Sequence, residues 1–449
     1  MSANCRPRYL RGQKEPFFPE PNCHPAKPSA AAFAVRRRLA RPRKRALTPA
    51  VMASNNKNRG RGSAGLVGQD AAADALLPAG LADVLAPQAA FEAATTERLM
   101  RVFSSFGYAR VEPPLIEFES TLLAGPGQAL ASQMFRLMDP GSQRMMGLRT
   151  DITLQVARIA RSRLKDDARP LRLSYAGEVL RVSGAQLRPE RQFAQAGVEL
   201  IGSDDAGADR EIVLLAAEAM TALGISDFSV DLTHPLLVPA VARAKGLDVR
   251  AAAAARLALD RKDAAELAKV AGPAAGLLGA LLRCSGPAGP ALKDLLALDL
   301  PEPAGAMARD LDRLVGALQS ARSDLTLTVD PCEFRGFEYH TGISFSVFSP
   351  HVRGELAGGG RYRVGANATD DGEPATGLTL YMESIMRGMA PANHGLVIFV
   401  PFGVSYADAN RLRAQNWVAV QGLVKVADPA VEAKRLGCTH WFEIGRAHV

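Results

Sequence analysis

Apolar and polar positions along this chain repeat with two different periods, and the switches between them mark out an α+β order of elements. From Ala89 to Phe106 the apolar side chains recur at helical spacing, and the run stops at Gly107, a residue at which helices commonly end. A strand and turn follow through Val111-Glu112-Pro113-Pro114-Leu115-Ile116. After Arg149 the pattern predicts a helix to about Leu164, with Asp151 placed to cap it. Arg172–Ser183 and Arg191–Ile201 alternate with period two and predict a hairpin. From about 236 to 323 alanine and leucine dominate, as in Ala251-Ala252-Ala253-Ala254-Ala255-Arg256-Leu257, and predict a mostly helical insertion. Strands are expected again at Leu325–Asp330 and Glu338–Phe348, then a glycine-rich turn at Gly358-Gly359-Gly360. Ala375–Met389 reads as a strand running into a helix, and Leu396–Phe402, Ala407–Ala414 and Val431–Leu436 as a small α/β tail.

The second strand of the hairpin carries the first chemical signal. Side chains of a strand point alternately to opposite faces, so Phe193, Gln195, Gly197 and Glu199 share one face and Ala194, Ala196, Val198 and Leu200 the other. A carboxylate and an amide flanking a glycine can bind a small ligand bearing an amine or imidazolium, the glycine leaving space for it. The same pattern also fits an edge strand with one solvated face.

Composition changes the picture at the ends. The 449 residues, 47% of them apolar, are enough for two or three domains. The net charge of +8 suggests a nucleic-acid partner until it is divided. Residues 1–51 hold 12 Lys+Arg against 2 Asp+Glu, leaving 42 against 44 for the rest. With eight prolines in that stretch and no apolar period, residues 1–64 are expected to be a disordered basic tail. It reads as a nucleic-acid arm, a transit peptide, or translation from a start upstream of a true start near Met52. Residues 443–449 read like a translated sequencing adapter. The expected organisation is therefore a core over 65–395, with the insertion inside it, and an α/β tail over 396–442. No run of 18 apolar residues is present, so a cytoplasmic protein without a membrane span is expected. The five cysteines, Cys5, Cys23, Cys284, Cys332 and Cys438, are scattered and include no CxxC, which argues against a disulfide framework or a metal site.

Four blocks then align with one family. Arg181, Arg188, Arg191-Gln192-Phe193, Gln195 and Glu199 resemble the second signature motif of class II aminoacyl-tRNA synthetases in its histidyl form. Leu148-Arg149-Thr150-Asp151-Ile152-Thr153 is similar to the segment that offers an acid to the amino group of histidine, with Asp where synthetases usually have Glu. Arg335-Gly336-Phe337-Glu338-Tyr339-His340 resembles the histidine-specific Arg-Gly-Leu-Asp-Tyr-Tyr block, and Gly358-Gly359-Gly360-Arg361-Tyr362 the glycine segment behind it. The resemblance covers roughly Leu81 to Met389, with motif one weakly present from Gly107-Tyr108 through Pro114 and Glu117. It implies a class II synthetase-like antiparallel sheet flanked by helices, and a histidine pocket of Asp151, Thr153, Arg181, Gln195, Glu199, Arg335, Tyr339 and His340.

The departures from that pattern point away from catalysis. In the family a Glu two places after the motif-two Arg accepts from adenine, and a Glu-Arg pair ending motif three clamps the terminal phosphate of ATP. Here Ser183 and Ser384 stand at those positions, and bulky Tyr381 stands where a glycine would give room. Losing the phosphate clamp alone should cost several kcal/mol of transition-state stabilisation. Only 65 residues follow Ser384, short for an anticodon-binding domain. No P-loop, His-Glu-x-x-His or Gly-x-Ser-x-Gly motif replaces the lost chemistry. The branch of the family with this profile comprises regulatory subunits of ATP phosphoribosyltransferase. Resemblance to it implies a subunit with no catalytic residues, cofactor or metal of its own, inside a glycosyltransferase complex of histidine biosynthesis. It further implies histidine as ligand, a homodimer through motif one within a hetero-oligomer, a short-form ATP phosphoribosyltransferase as partner, and no use for tRNA. The rival expectations are a drifted histidyl-tRNA synthetase and a nucleic-acid-binding protein using the Arg-rich tail.

Overall fold

The computed structural model describes residues 77–184, 189–333, 340–365, 371–389 and 396–443. The described residues divide into two compact units, 77–389 and 396–443. The first is built on a nine-stranded sheet whose strands, in chain order, are β1 (Ala109–Arg110), β2 (Leu171–Leu180), β3 (Gln192–Ile201), β4 (Ser229–Thr233), β5 (Gly286–Pro287), β6 (Thr326–Val329), β7 (Ser344–Phe348), β8 (Ala357–Val364) and β9 (Glu373–Tyr381). Their spatial order is β1-β2-β3-β9-β8-β7-β4-β6-β5. The run from β2 to β4 is antiparallel throughout, and β1 joins β2 and β6 joins β4 in parallel.

Helix α1 (Gln88–Ser105) and helix α3 (Ala206–Leu223) put Leu99, Phe103, Ile212 and Met220 into one core with Ala196, Val198 and Leu200 of β3. Helix α1 stops because Gly107 takes φ +85°, a conformation only glycine adopts freely. Helix α2 (Thr153–Ser162) covers the opposite face with Ile152, Val156 and Ala160. The insertion holds helices Leu237–Ala244, Val249–Asp260, Ala264–Val270, Ala275–Leu281, Ala288–Leu296 and Ala304–Ala321, and Asp248 and Asp263 cap two of them. Its one short strand, β5, pairs with β6.

The expected glycine-rich turn at Gly358-Gly359-Gly360 is a strand interior. These glycines lie in β8, where a β-carbon on Gly359 would sit 2.2 Å from the Gly377 carbonyl oxygen and 2.8 Å from the Phe345 ring. Close approach of neighbouring strands explains them better than turning does. The Glu338–Phe348 expectation is met only from Ser344, with 338 and 339 outside the described residues.

The C-terminal unit is a parallel three-stranded sheet in the order Val418–Gln421, Val397–Val400, His440–Trp441, with helices Tyr406–Ala414 and Pro429–Arg435. Ile398 and Val400 pack with Leu412 in one cluster, and Phe399 with Ala433 and Cys438 in another. Among the described residues no helix is long and apolar enough to cross a membrane.

Candidate functional site

Strand β3 is third in the nine-stranded sheet and buried on both faces, which removes the edge-strand reading of its polar face. Gln195 and Glu199 are each 1% exposed. A polar side chain so buried must be hydrogen-bonded or suffer a desolvation cost of about 1–3 kcal/mol. Gln195 meets this requirement: its Nε2 donates to Asp151 Oδ2 at 3.0 Å, and its Oε1 accepts from the Ile152 N–H at 3.3 Å. The amide thus ties the start of α2 to the sheet. Asp151 acts one position ahead of the expected cap, its Oδ1 accepting from the Thr153 N–H at 2.9 Å while Ile152 is the N-cap.

Glu199 is enclosed by phenols. Tyr362 donates to its Oε2 at 2.8 Å and Tyr175 to its Oε1 at 3.5 Å. Tyr175 also contacts Thr153 Oγ1 at 3.2 Å and Thr379 Oγ1 at 2.9 Å. Burial pushes the Glu199 carboxyl up to about 8, against the lowering effect of the Tyr362 hydrogen bond. Near neutrality it therefore holds a proton, as a buried neutral acid.

Two glycines take roles that the strand pattern does not give. The space above Gly197 belongs to the chain itself, since a β-carbon there would lie 2.4 Å from the Tyr175 hydroxyl. The expectation that Gly197 leaves room for a ligand is corrected accordingly. Gly377 is what admits Glu199: it pairs with Glu199 across β3–β9, and a β-carbon would lie 2.0 Å from Oε2.

Asp151, Thr153, Glu199 and His340 line one small cavity of about 40 Å³ with Tyr362, Gly377, Thr379, Ser346, Glu355 and Tyr381. Five of the eight expected pocket residues thus converge, counting Gln195 through its bond to Asp151. Arg181 does not line the cavity; it bonds the Thr150 carbonyl at 3.4 Å and lies 5.1 Å over the Phe193 ring. Arg335 and Tyr339 lie outside the described residues. Tyr175, Tyr362, Gly377 and Glu355 are additions. Tyr362 had one sequence signal, its place at the end of the Gly358-Gly359-Gly360-Arg361-Tyr362 block.

Ser183 is exposed, whereas Ser384 has no accessible surface and accepts from Arg387 Nη2 at 3.2 Å. A hydroxyl buried at that depth cannot reach a phosphate. Among the described residues no group of three or more His, Cys, Asp or Glu side chains could hold a metal ion.

The histidyl-tRNA synthetase family model matches residues 80–385. The ATP phosphoribosyltransferase regulatory subunit of Paramagnetospirillum magneticum is 56% identical over 369 residues, 82% of this chain and 95% of that protein. Its counterpart from Rhodospirillum centenum is 52% identical over 83% of this chain and 95% of its own length. A solved ATP phosphoribosyltransferase regulatory subunit/histidyl-tRNA synthetase from Bacillus halodurans superposes with TM-score 0.70 at 25% identity, covering 80% of this chain and 96% of its own. Histidyl-tRNA synthetase from a Nostoc species shares the fold at TM-score 0.68 and 18% identity, over 81% of this chain and 90% of its own.

Proposed function

The chain belongs to the ATP phosphoribosyltransferase regulatory subunits, a family with the histidyl-tRNA synthetase fold, and from that membership we propose that it binds free histidine without activating it. In this reading it is a cytoplasmic, non-catalytic subunit that regulates a short-form ATP phosphoribosyltransferase according to histidine supply. Asp151 takes the amine of histidine, and Glu199 shares a proton with the imidazole. The observation that carries the reading is the pairing of a buried Glu199 held by Tyr362 with a Ser384 sealed from the cavity. One end of the site can read a ring with a donor or acceptor nitrogen; at the other, Ser384 supplies no cation for a triphosphate. Assembly as a homodimer within a hetero-oligomer, and independence from tRNA, belong to the same proposal. Calorimetric titration of the purified chain with histidine, beside a pull-down of the short-form transferase, tests it. No histidine binding at millimolar ligand would refute the pocket, and no association would refute the partnership.

A further inference from the structure

The floor of the cleft is made mostly of glycines and small hydroxyl residues, with the Tyr175 phenol over Gly197 and the Glu199 carboxyl over Gly377, and it has a definite end. Across the sheet, Glu199 is followed by Gly377, Gly360 and Ser344, and in the next row Gly197 is followed by Thr379, Gly358 and Ser346. Cross-strand partners share a face, so this is a flat shelf over four strands. One row further, Gln195 is paired with Tyr381, the last residue of β9 before helix Met382–Gly388 begins. Its phenol is therefore the last side chain that β9 places on the shelf. It is 4% exposed, and its hydroxyl lies 3.8 Å from where a β-carbon on Gly358 would sit, so the ring leans back over the shelf instead of out to solvent.

With the amine of a bound amino acid at Asp151 and its ring at Glu199, the carboxyl group is the substituent left to face Tyr381. We infer that Tyr381 is a length gate, closing the cleft against any ligand extended through its carboxyl group and leaving it selective for the free amino acid. This inference rests on the proposed histidine site. A closed pocket of fixed length achieves such selection by clash, an element that acts against the wrong ligand as well as for the right one. For a sensor the consequence is that histidine esters, histidyl peptides and aminoacyl nucleotides do not register as free histidine.

The test compares histidine with histidyl-glycine and with histidyl-sulfamoyl-adenosine, by calorimetry, on the full chain and on Tyr381→Gly, Tyr381→Ala and Tyr381→Phe. In the parent and in Tyr381→Phe the extended ligands should bind at least about tenfold more weakly than histidine. In Tyr381→Gly and Tyr381→Ala that gap should narrow by about tenfold or more, a gain of binding that a misfolded variant cannot produce. A parent that binds extended and free ligands alike overturns the gate, as does an unchanged gap in variants that still bind histidine. Loss of histidine binding in both small-residue variants would make Tyr381 a packing residue and also overturn it. A parent that binds no histidine at all overturns the histidine site, and this inference with it.

Discussion

Tyr362 donates its hydroxyl hydrogen to Glu199 Oε2 at 2.8 Å, and the two residues are 3% and 1% exposed. A carboxyl that burial raises to about 8 holds its proton at neutral pH, while free histidine there is largely neutral in its ring. Bound together, the pair needs one proton between them, which the empty protein already carries.

The first prediction follows from that proton count. Below about pH 6.5 free histidine brings a second proton that binding must expel, so affinity rises with pH. Above about 8 empty Glu199 is ionised and binding must take up a proton, so affinity falls. Between them the affinity should be level, with limbs approaching tenfold per pH unit. Glu199→Gln cannot ionise and should keep the acid limb, while its alkaline fall shrinks to the part that deprotonation of histidine's own amine causes. Calorimetry from pH 5.5 to 9 reads this directly, and a Gln variant whose alkaline fall is as steep as the parent's and begins at the same pH would remove Glu199 from the site.

A second prediction isolates Tyr362. Its hydrogen bond favours the ionised carboxylate, so Tyr362→Phe should drive the Glu199 carboxyl higher still and move the alkaline limb up in pH. The lost bond should also weaken histidine on the plateau, because the carboxylate of the complex loses more from it than the protonated acid does. If the limb moves down or stays fixed, Tyr362 does not set the protonation of the pocket.

The polar face of β3 was legible because period two is a local property: Gln195 and Glu199 share a face whatever the rest of the chain does. Asp151 was legible for the same local reason, off by one position. What closes around Glu199 was not, because Tyr362 and Gly377 lie more than 160 residues away in sequence and meet it only through strand register. A single sequence carries no record of register between distant strands. The three glycines misled in the same way, since local propensity favours a turn and only the crowding of Gly377 and Phe345 shows why a strand needs them.

The third prediction tests that crowding. Gly377→Ala places a methyl group 2.0 Å from Glu199 Oε2, a clash that the buried side chain can relieve only by breaking its bond with Tyr362. Overpacking of this kind costs about 1–3 kcal/mol, so the melting temperature should fall and histidine binding should be lost with it. Gly207→Ala, where a β-carbon meets nothing within 4 Å, is the control and should do neither. Equal effects from both would show that Gly377 is not a fitted position.

The fourth concerns chemistry. With Ser384 sealed in the core and accepting from Arg387, the cavity presents no cation at that position for the terminal phosphate of ATP. Histidine-dependent exchange of pyrophosphate into ATP should stay at the level of buffer alone. Ser384→Arg should not restore it, because an unpaired guanidinium forced into a site with 0% exposure is a buried charge and should unfold the region first. Exchange above background by the parent chain would mean that amino-acid activation survives.

The fifth asks which amino acid the site prefers. A ligand that binds only the folded state stabilises it by RT ln(1 + [L]/Kd), about 2.7 kcal/mol at a hundredfold excess over Kd, so histidine should raise the melting temperature measurably. Lysine and arginine carry an amine for Asp151 too, but each adds a side chain that stays cationic up to about pH 9 and beyond. Glu199 can meet such a cation only by giving up its proton below about 8, and the cation must also leave water for a pocket walled by Tyr175 and Tyr362. Imidazole escapes both penalties because it can enter neutral and accept the proton that Glu199 already holds. At pH 7 histidine should therefore stabilise the chain far more than lysine or arginine, and the margin should shrink at pH 9, where Glu199 is ionised before any ligand arrives. Equal stabilisation by lysine and histidine at pH 7 would mean that the pocket reads charge and not the ring.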